Sequence, residues 1–227
     1  MKNSARKIRT SHGGRLPAPD HFQDLPQRLT SWQPIPADEM TGKIEPAIAG
    51  IVKRQVEIGI DCVGDGEYWA GLGFPYWSQL MSGLSTRPLN PGEVGSTRES
   101  TRERDTFQHF YAEMDRVGTL FCIPGEKPVF RVTQRCVAKQ PIQSKGVGPV
   151  KRQIDSFKTV IARAGVPVDE AFIPALAPGW LDHFIYNEHY KTDEEFVYAL
   201  AEAMADKYRA IADAGFILQL DDPGLVT

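Results

Sequence analysis

An α/β fold built around a parallel sheet is what this sequence predicts, and three observations carry that expectation. Through the later part of the chain short apolar runs alternate with longer stretches of helical periodicity, the pattern of βαβ units. The last run is apolar throughout and ends in a carboxylate-bearing tip, Ala214-Gly-Phe-Ile-Leu-Gln-Leu-Asp-Asp-Pro-Gly224, as a strand covered on both faces does where its carboxyl end carries chemistry. An earlier stretch, Gly59-Ile-Asp-Cys-Val-Gly-Asp-Gly-Glu67, repeats that order of glycine, apolar run, broken tip and carboxylate. No Gly-x-Gly-x-x-Gly opens a helix, so nothing marks a dinucleotide site. On pattern alone, five strand candidates suit an open doubly wound sheet or part of an eight-stranded barrel.

Taken in order, Ile8-Arg-Thr-Ser-His-Gly-Gly-Arg15 reads as a first strand breaking into a glycine turn, followed by a proline-rich loop over 16–38. Ile44, Ala47, Ile48, Ile51 and Val56 give helical spacing over 42–57. The second strand candidate is 59–67, and the aromatics Tyr68, Trp69, Phe74, Tyr76 and Trp77 after it are expected to wall a ligand pocket or, the blander reading, to pack a loop under a barrel rim. Residues 85–104 read as a long excursion, with Arg98, Arg102 and Arg104 among acids on a solvated helix start, and 105–116 as the helix that closes it. Lys127-Pro-Val-Phe-Arg-Val-Thr133 is a third strand candidate, followed by a glycine-bearing loop. Ile154, Phe157, Val160 and Ile161 mark a helix over 150–164, and Ala171-Phe-Ile-Pro-Ala175 a fourth strand.

The final helix carries the fullest set of signals. Thr192 and Glu195 form a capping-box pair, Asp193 to Glu195 suit the positive end of the helix dipole, and Lys207 and Arg209 suit the other. Phe196, Val197, Leu200, Met204, Tyr208 and Ile211 make one apolar stripe, and Gly215 stands where the helix should stop. The strand over 216–221 follows, and Pro223, lacking a backbone donor, should end its ladder.

Composition narrows the function classes. At 227 residues the chain reads as one domain, 1–227, large enough for a real core. The net charge of −3 offers neither a nucleic-acid surface nor a polybasic membrane face. The basic first ten residues lack a secretory apolar core, and no run approaches a membrane span. The three cysteines, Cys62, Cys122 and Cys136, are odd in number and widely spaced, so they read as small buried apolar residues rather than a disulfide framework. Cytoplasmic localisation is the expectation.

Three strand tips taken together, Arg9-Thr-Ser-His-Gly-Gly-Arg-Leu-Pro17, Gly59 to Glu67 and Ala214 to Pro223, resemble the catalytic domain of cobalamin-independent methionine synthase. The likeness is greatest to its short, methionine synthase II-like branch, and Asn187-Glu-His-Tyr-Lys-Thr-Asp-Glu-Glu-Phe196 is similar to that branch as well. The resemblance implies a (β/α)8 TIM-barrel family, with this chain an N-terminal partial barrel of about five strands. It implies transfer of a methyl group from 5-methyltetrahydrofolate, or another donor, to the thiol of homocysteine or a similar thiol, in methionine biosynthesis. Small-molecule thiol and methyl donor would be the partners.

By the same resemblance Glu67 and Asp221 would hold the substrate ammonium, an arrangement of charge-assisted, directional bonds. His12 matches a histidine frequent in the short branch and would either orient a ligand or bond to backbone at the first strand. At Arg15 the chain departs from the family's Gly-Ser, and a guanidinium there can fork onto a carboxylate or sulfonate. The fourth tip, Pro174-Ala-Leu-Ala-Pro-Gly179, departs too, since the longer synthases place a pterin-stacking tryptophan there and here Trp180 is only nearby.

Zinc is the cofactor the family implies, as the metal that binds the thiol as thiolate. Its family ligands, a His-x-Cys pair, a glutamate and a further cysteine, follow the Asp-Glu-Pro strand and are absent from this chain, which is expected to stop before them. No His-x-Cys, Cys-x-x-Cys or His-x-x-x-His spacing occurs within it. An inactive partial barrel is therefore one expectation, with self-association through open sheet edges. A metal-free barrel enzyme of the uroporphyrinogen decarboxylase type, which binds carboxylates with arginines, is another.

Overall fold

A computed structural model of the chain describes residues 7–17, 37–69, 74–91, 93, 105–117 and 134–223. In chain order the elements are α1 (Ala37–Glu57), β1 (Val63–Gly64), α2 (Phe74–Leu80), β2 (Leu84–Pro88), α3 (Gln108–Val117) and β3 (Gln134–Ala138). There follow α4 (Gly148–Arg163), β4 (Ala171–Leu176), α5 (Pro178–Leu181), β5 (Ile185–Asn187), α6 (Asp193–Asp213) and β6 (Ile217–Asp221). The result is an α/β molecule with a parallel sheet and no closed barrel among the described residues.

That parallel sheet has the order β1-β4-β6, with Val63 opposite Ala171, Phe172 opposite Ile217 and Leu176 opposite Asp221. Strand β4 is central, which is why all but the last of its residues, Ala171-Phe-Ile-Pro-Ala-Leu, are buried. A single parallel bridge, Ser11 to Cys62, brings the first segment alongside β1. The carboxyl ends of all these segments therefore lie on one edge of the sheet.

Helix α4 packs against α1 and against α6, and the three share a core with the sheet. Ile44, Ala47, Ile48 and Val52 of α1, Ile154, Phe157, Val160 and Ile161 of α4, and Phe196, Leu200, Met204 and Ile211 of α6 form a single buried cluster with Ala171 and Ile173. Phe157 stacks on Phe216 with ring centroids 5.2 Å apart. Each such side chain removed from water contributes about 2 kcal/mol before the entropy of ordering it. Tyr68, Trp69, Tyr76 and Trp77 belong to the same core.

Several expectations are corrected. Six strands in two sheets stand among the described residues instead of about five in one. The second sheet, of order β2-β3-β5, mixes an antiparallel pair, Leu84 opposite Ala138, with a parallel one, Cys136 opposite Ile185. Its strands fall in the expected excursion and loops, because short segments far apart in sequence found partners that no local periodicity announces. The first strand is reduced to its one bridge, with Ile8 87% exposed. Helix α1 begins earlier than its apolar pattern and contains Pro46, and Val52 is buried in place of the exposed Val56.

Strand β6 is half-buried with Leu220 exposed, because among the described residues it pairs only with β4. The capping box is half as expected. Thr192 accepts from Glu195 N–H at 3.1 Å, but the Glu195 carboxylate reaches Lys191 N–H instead of the cap's own. Lys207 is buried, not a solvated dipole partner. Cys136 is buried and Cys62 half-buried. The strand candidate 127–133, Cys122, the arginines at 98, 102 and 104, and most of the 16–38 loop lie outside the described residues.

Candidate functional site

The carboxyl edge of the parallel sheet is where an α/β protein offers backbone ends and polar tips to a ligand. Four segments reach it here: residues 12–16 after the Ser11 bridge, 65–67 after β1, the turn from β4 into α5, and Asp221 with Asp222 at the end of β6. They are tied together by main-chain bonds, Leu16 N–H to Gly66 C=O at 3.2 Å and Ala177 N–H to Asp221 C=O at 2.9 Å. Tyr68 adds a bond from its hydroxyl to Pro17 C=O at 2.8 Å.

The β1 tip is built by close approach. A Cβ on Gly64 would stand 2.4 Å from the Phe172 ring, so only glycine lets β1 lie this near β4. Gln55 of α1 grips Gly64 on both main-chain groups, donating to its C=O at 2.9 Å and accepting from its N–H at 3.0 Å. Gly66 (φ 72°) and Glu67 (φ 60°) then turn the chain through consecutive left-handed residues. No other non-glycine residue among those described has positive φ, and a side chain held there costs about 1–2 kcal/mol.

His12 and Glu67 line one small pocket with Gly14, Gly64, Gly66 and Phe172. Its enclosed volume is about 10 Å³, room for about one water. A larger ligand would have to lie across the open strand tips. His12 Nε2 is buried there without a hydrogen-bond partner among the described residues, a donor or acceptor facing nothing that satisfies it.

Charge connects the remaining pair to Glu67. Burial pushes the Glu67 carboxyl above its ordinary value, the Asp221 charge pushes it further, the Arg15 guanidinium pulls it back and Asp65 adds to the rise. Asp221 is raised by its own desolvation and then by Asp222. Crowding by protein lowers the Arg15 pKa while Glu67 opposes that, and Arg15 stays charged and exposed at the rim. Thus Glu67 stands in the fields of Asp221 and Arg15, His12 and Glu67 line the same pocket, and Arg15 and Asp221 do not line it. Carboxylates that burial and mutual repulsion make reluctant to ionise are relieved by a cation placed between them.

Sequence reasoning missed what lies beneath Glu67. Asp65 is fully buried, its carboxylate accepting from Glu67 N–H and from Gln153 Nε2–H, each at 3.0 Å. Lys207 is buried with it and its ammonium is brought down to about 8 by desolvation, with Asp65 opposing. The signal was present in spacing, since Gln153 and Lys207 fall on the apolar stripes of their helices. Asp222, assigned no role from sequence, has Oδ1 buried and without a partner among the described residues.

Among the described residues no three His, Cys, Asp or Glu side chains come together as a metal site. Cys62 forms the bridge with Ser11, and Cys136 lies in the second sheet. No helix among these residues is long and apolar enough to cross a membrane.

Compared with protein-family models and with curated proteins, the sequence matches none. Among solved structures it is similar to a B12-independent methionine synthase from Shewanella sp. W3-18-1, solved in complex with selenomethionine, at TM-score 0.58 and 16% identity. The likeness covers 96% of this chain and 52% of that one, so the chain spans about half the length of the protein it matches. At this identity the likeness is one of fold.

Proposed function

We propose that this chain, as a single domain, is part of a methionine synthase-like barrel of the short branch and that its sheet edge binds an amino-acid thiol. The observation that carries the reading is that Glu67, after β1, stands in the fields of both Asp221, at the end of β6, and Arg15, on one edge of the sheet. Two carboxylates and one guanidinium complement a zwitterion: the ammonium lies between Glu67 and Asp221, and the carboxylate goes to Arg15. His12, half-buried on the same pocket with its Nε2 buried and without a partner among the described residues, supplies a polar contact to the bound molecule. The substrate class is homocysteine or a similar thiol, and the reaction is methyl transfer from 5-methyltetrahydrofolate or another donor. In that transfer the donor's bond to its methyl breaks with the electron pair staying on the donor atom, a bond from the methyl carbon to the thiol sulfur forms, and the thiol proton ends, by way of solvent, on the donor atom that released the methyl.

Zinc would be the activator the resemblance brings with it. The described residues do not fit it, since no set of donors gathers, and no step of the reading runs through a metal. The proposal for this 227-residue chain is therefore binding of the thiol, with the barrel's transfer chemistry resting on groups beyond those described. Calorimetric titration with L-homocysteine tests it. Glu67→Ala and Asp221→Ala should each weaken binding by about tenfold or more, as loss of a charge-assisted bond does. Unchanged affinity in both variants removes the assignment.

A further inference from the structure

We propose that Asp65 is a positioning residue for Glu67, held in place by a buried relay of Gln153, Tyr76 and Lys207. The inference rests on the reading of Glu67 as a substrate contact. Its observation is a chain of bonds that begins deep in the core and ends on one main-chain group of the site. Tyr76 O–H donates to Gln153 Oε1 at 2.7 Å, Gln153 Nε2–H donates to Asp65 Oδ2 at 3.0 Å, and Asp65 Oδ1 accepts from Glu67 N–H at 3.0 Å. The Lys207 ammonium stands 4.7 Å from the centroid of the Tyr76 ring and acts on the Asp65 charge. All four side chains are buried.

Stability alone does not call for such a set. Apolar residues of similar volume commonly serve a core as well as a buried ion pair or better. What the relay does supply is a fixed acceptor under a residue whose backbone is costly. Glu67 at φ 60° would relax to an extended or helical conformation if its N–H were released. Such a rotation would swing its carboxylate away from Asp221 and Arg15. Each relay member comes from a different element, α2 for Tyr76, α4 for Gln153 and α6 for Lys207, so the Glu67 backbone is referenced to the packed helices and not to its own loop. The Gln153 amide has both ends occupied, which fixes its orientation and therefore that of the carboxylate it faces.

A double-mutant cycle on the full chain, read by L-homocysteine affinity in calorimetry, tests this. Asp65→Ala should weaken binding about tenfold in the natural background and less than about twofold when Glu67 is already alanine, because a positioning residue has nothing left to position. Equal losses in both backgrounds, or no loss in the natural one, overturn the proposal. Should Asp65→Ala not fold, Tyr76→Phe removes only the hydroxyl that orients Gln153. It should then show the same pattern with a loss of about threefold, and an equal loss in both backgrounds overturns the proposal again. Asp65→Asn keeps an oxygen for the Glu67 N–H, and Gln153 can reverse its amide to match, so affinity should recover to within about threefold. Failure of Glu67→Ala itself to weaken binding removes the site; a strong Glu67→Ala effect with an additive cycle removes only the positioning role.

Discussion

Lys207 shows how much a single buried charge sets the behaviour of this molecule. It is 3% exposed, on the core stripe of α6, and its ammonium is released at about 8 in the folded chain against 10.5 ordinarily. Between those values the unfolded chain carries the extra proton, so stability rises with pH across that window; below about 8 the cost of burying the charge is present in full. Asp65 acts oppositely. Its carboxyl is raised by burial, so from its ordinary value of 3.8 up to the folded one the folded chain holds the extra proton and stability falls as pH rises. Tyr76 and Tyr208, also raised by burial, oppose the alkaline gain once ordinary tyrosines begin to ionise at about pH 10. Cys136 and Cys62, raised by burial from 9.0, oppose that gain within the same window. Compared with Lys207→Met in urea unfolding, the unaltered chain should therefore gain about 1.5 kcal/mol of stability between pH 8 and pH 9.5. The same pH dependence in both chains would show that Lys207 does not carry the difference.

At the scale of elements, stability and legibility go together. Helix α6 declares itself by its cap, its acidic first turn and its terminating glycine, and it forms over Asp193–Asp213 with Gly215 at φ 90°. Thr192→Ala removes the acceptor of Glu195 N–H and should lower stability by about 1 kcal/mol, read as a lower urea midpoint with an unchanged slope. An unchanged midpoint would mean that the cap is solvated at no cost. Strand β4 and helix α4 were equally readable, since long periodic or continuous apolar segments leave few alternatives. Strands β2, β3 and β5 were not, because each runs only 3–5 residues and owes its existence to a distant partner. Strand β3 even buries Arg135, whose guanidinium lies 4.3 Å from the centroid of the Tyr186 ring, a packing no hydropathy pattern announces. Lys207 is misread from sequence, and Gln153 escapes notice, for a related reason: residue type suggests solvent, while their place on the stripe puts them in the core.

For the molecule as a whole, the parallel sheet matters because it gathers the ends of β1, β4 and β6 and the Ser11 segment on one edge. Glu67 and Asp221 could be picked from sequence because they follow apolar runs at tips that resemble the family's, His12 because it matches a histidine of the short branch, and Arg15 because it stands where the resembling family has serine. Their grouping needed the pairing order, and the support under Glu67 needed three helices that sequence order leaves far apart. The central claim is that this edge recognises the ammonium of an amino-acid thiol through Glu67 and Asp221. The most direct measurement is calorimetric titration of the unaltered chain with L-homocysteine and, in parallel, with 4-mercaptobutanoic acid, which keeps thiol and carboxylate and lacks the ammonium. The account predicts that homocysteine binds about tenfold or more tightly than the analogue, the worth of a charge-assisted bond. Equal affinities, or no binding of homocysteine, would contradict it.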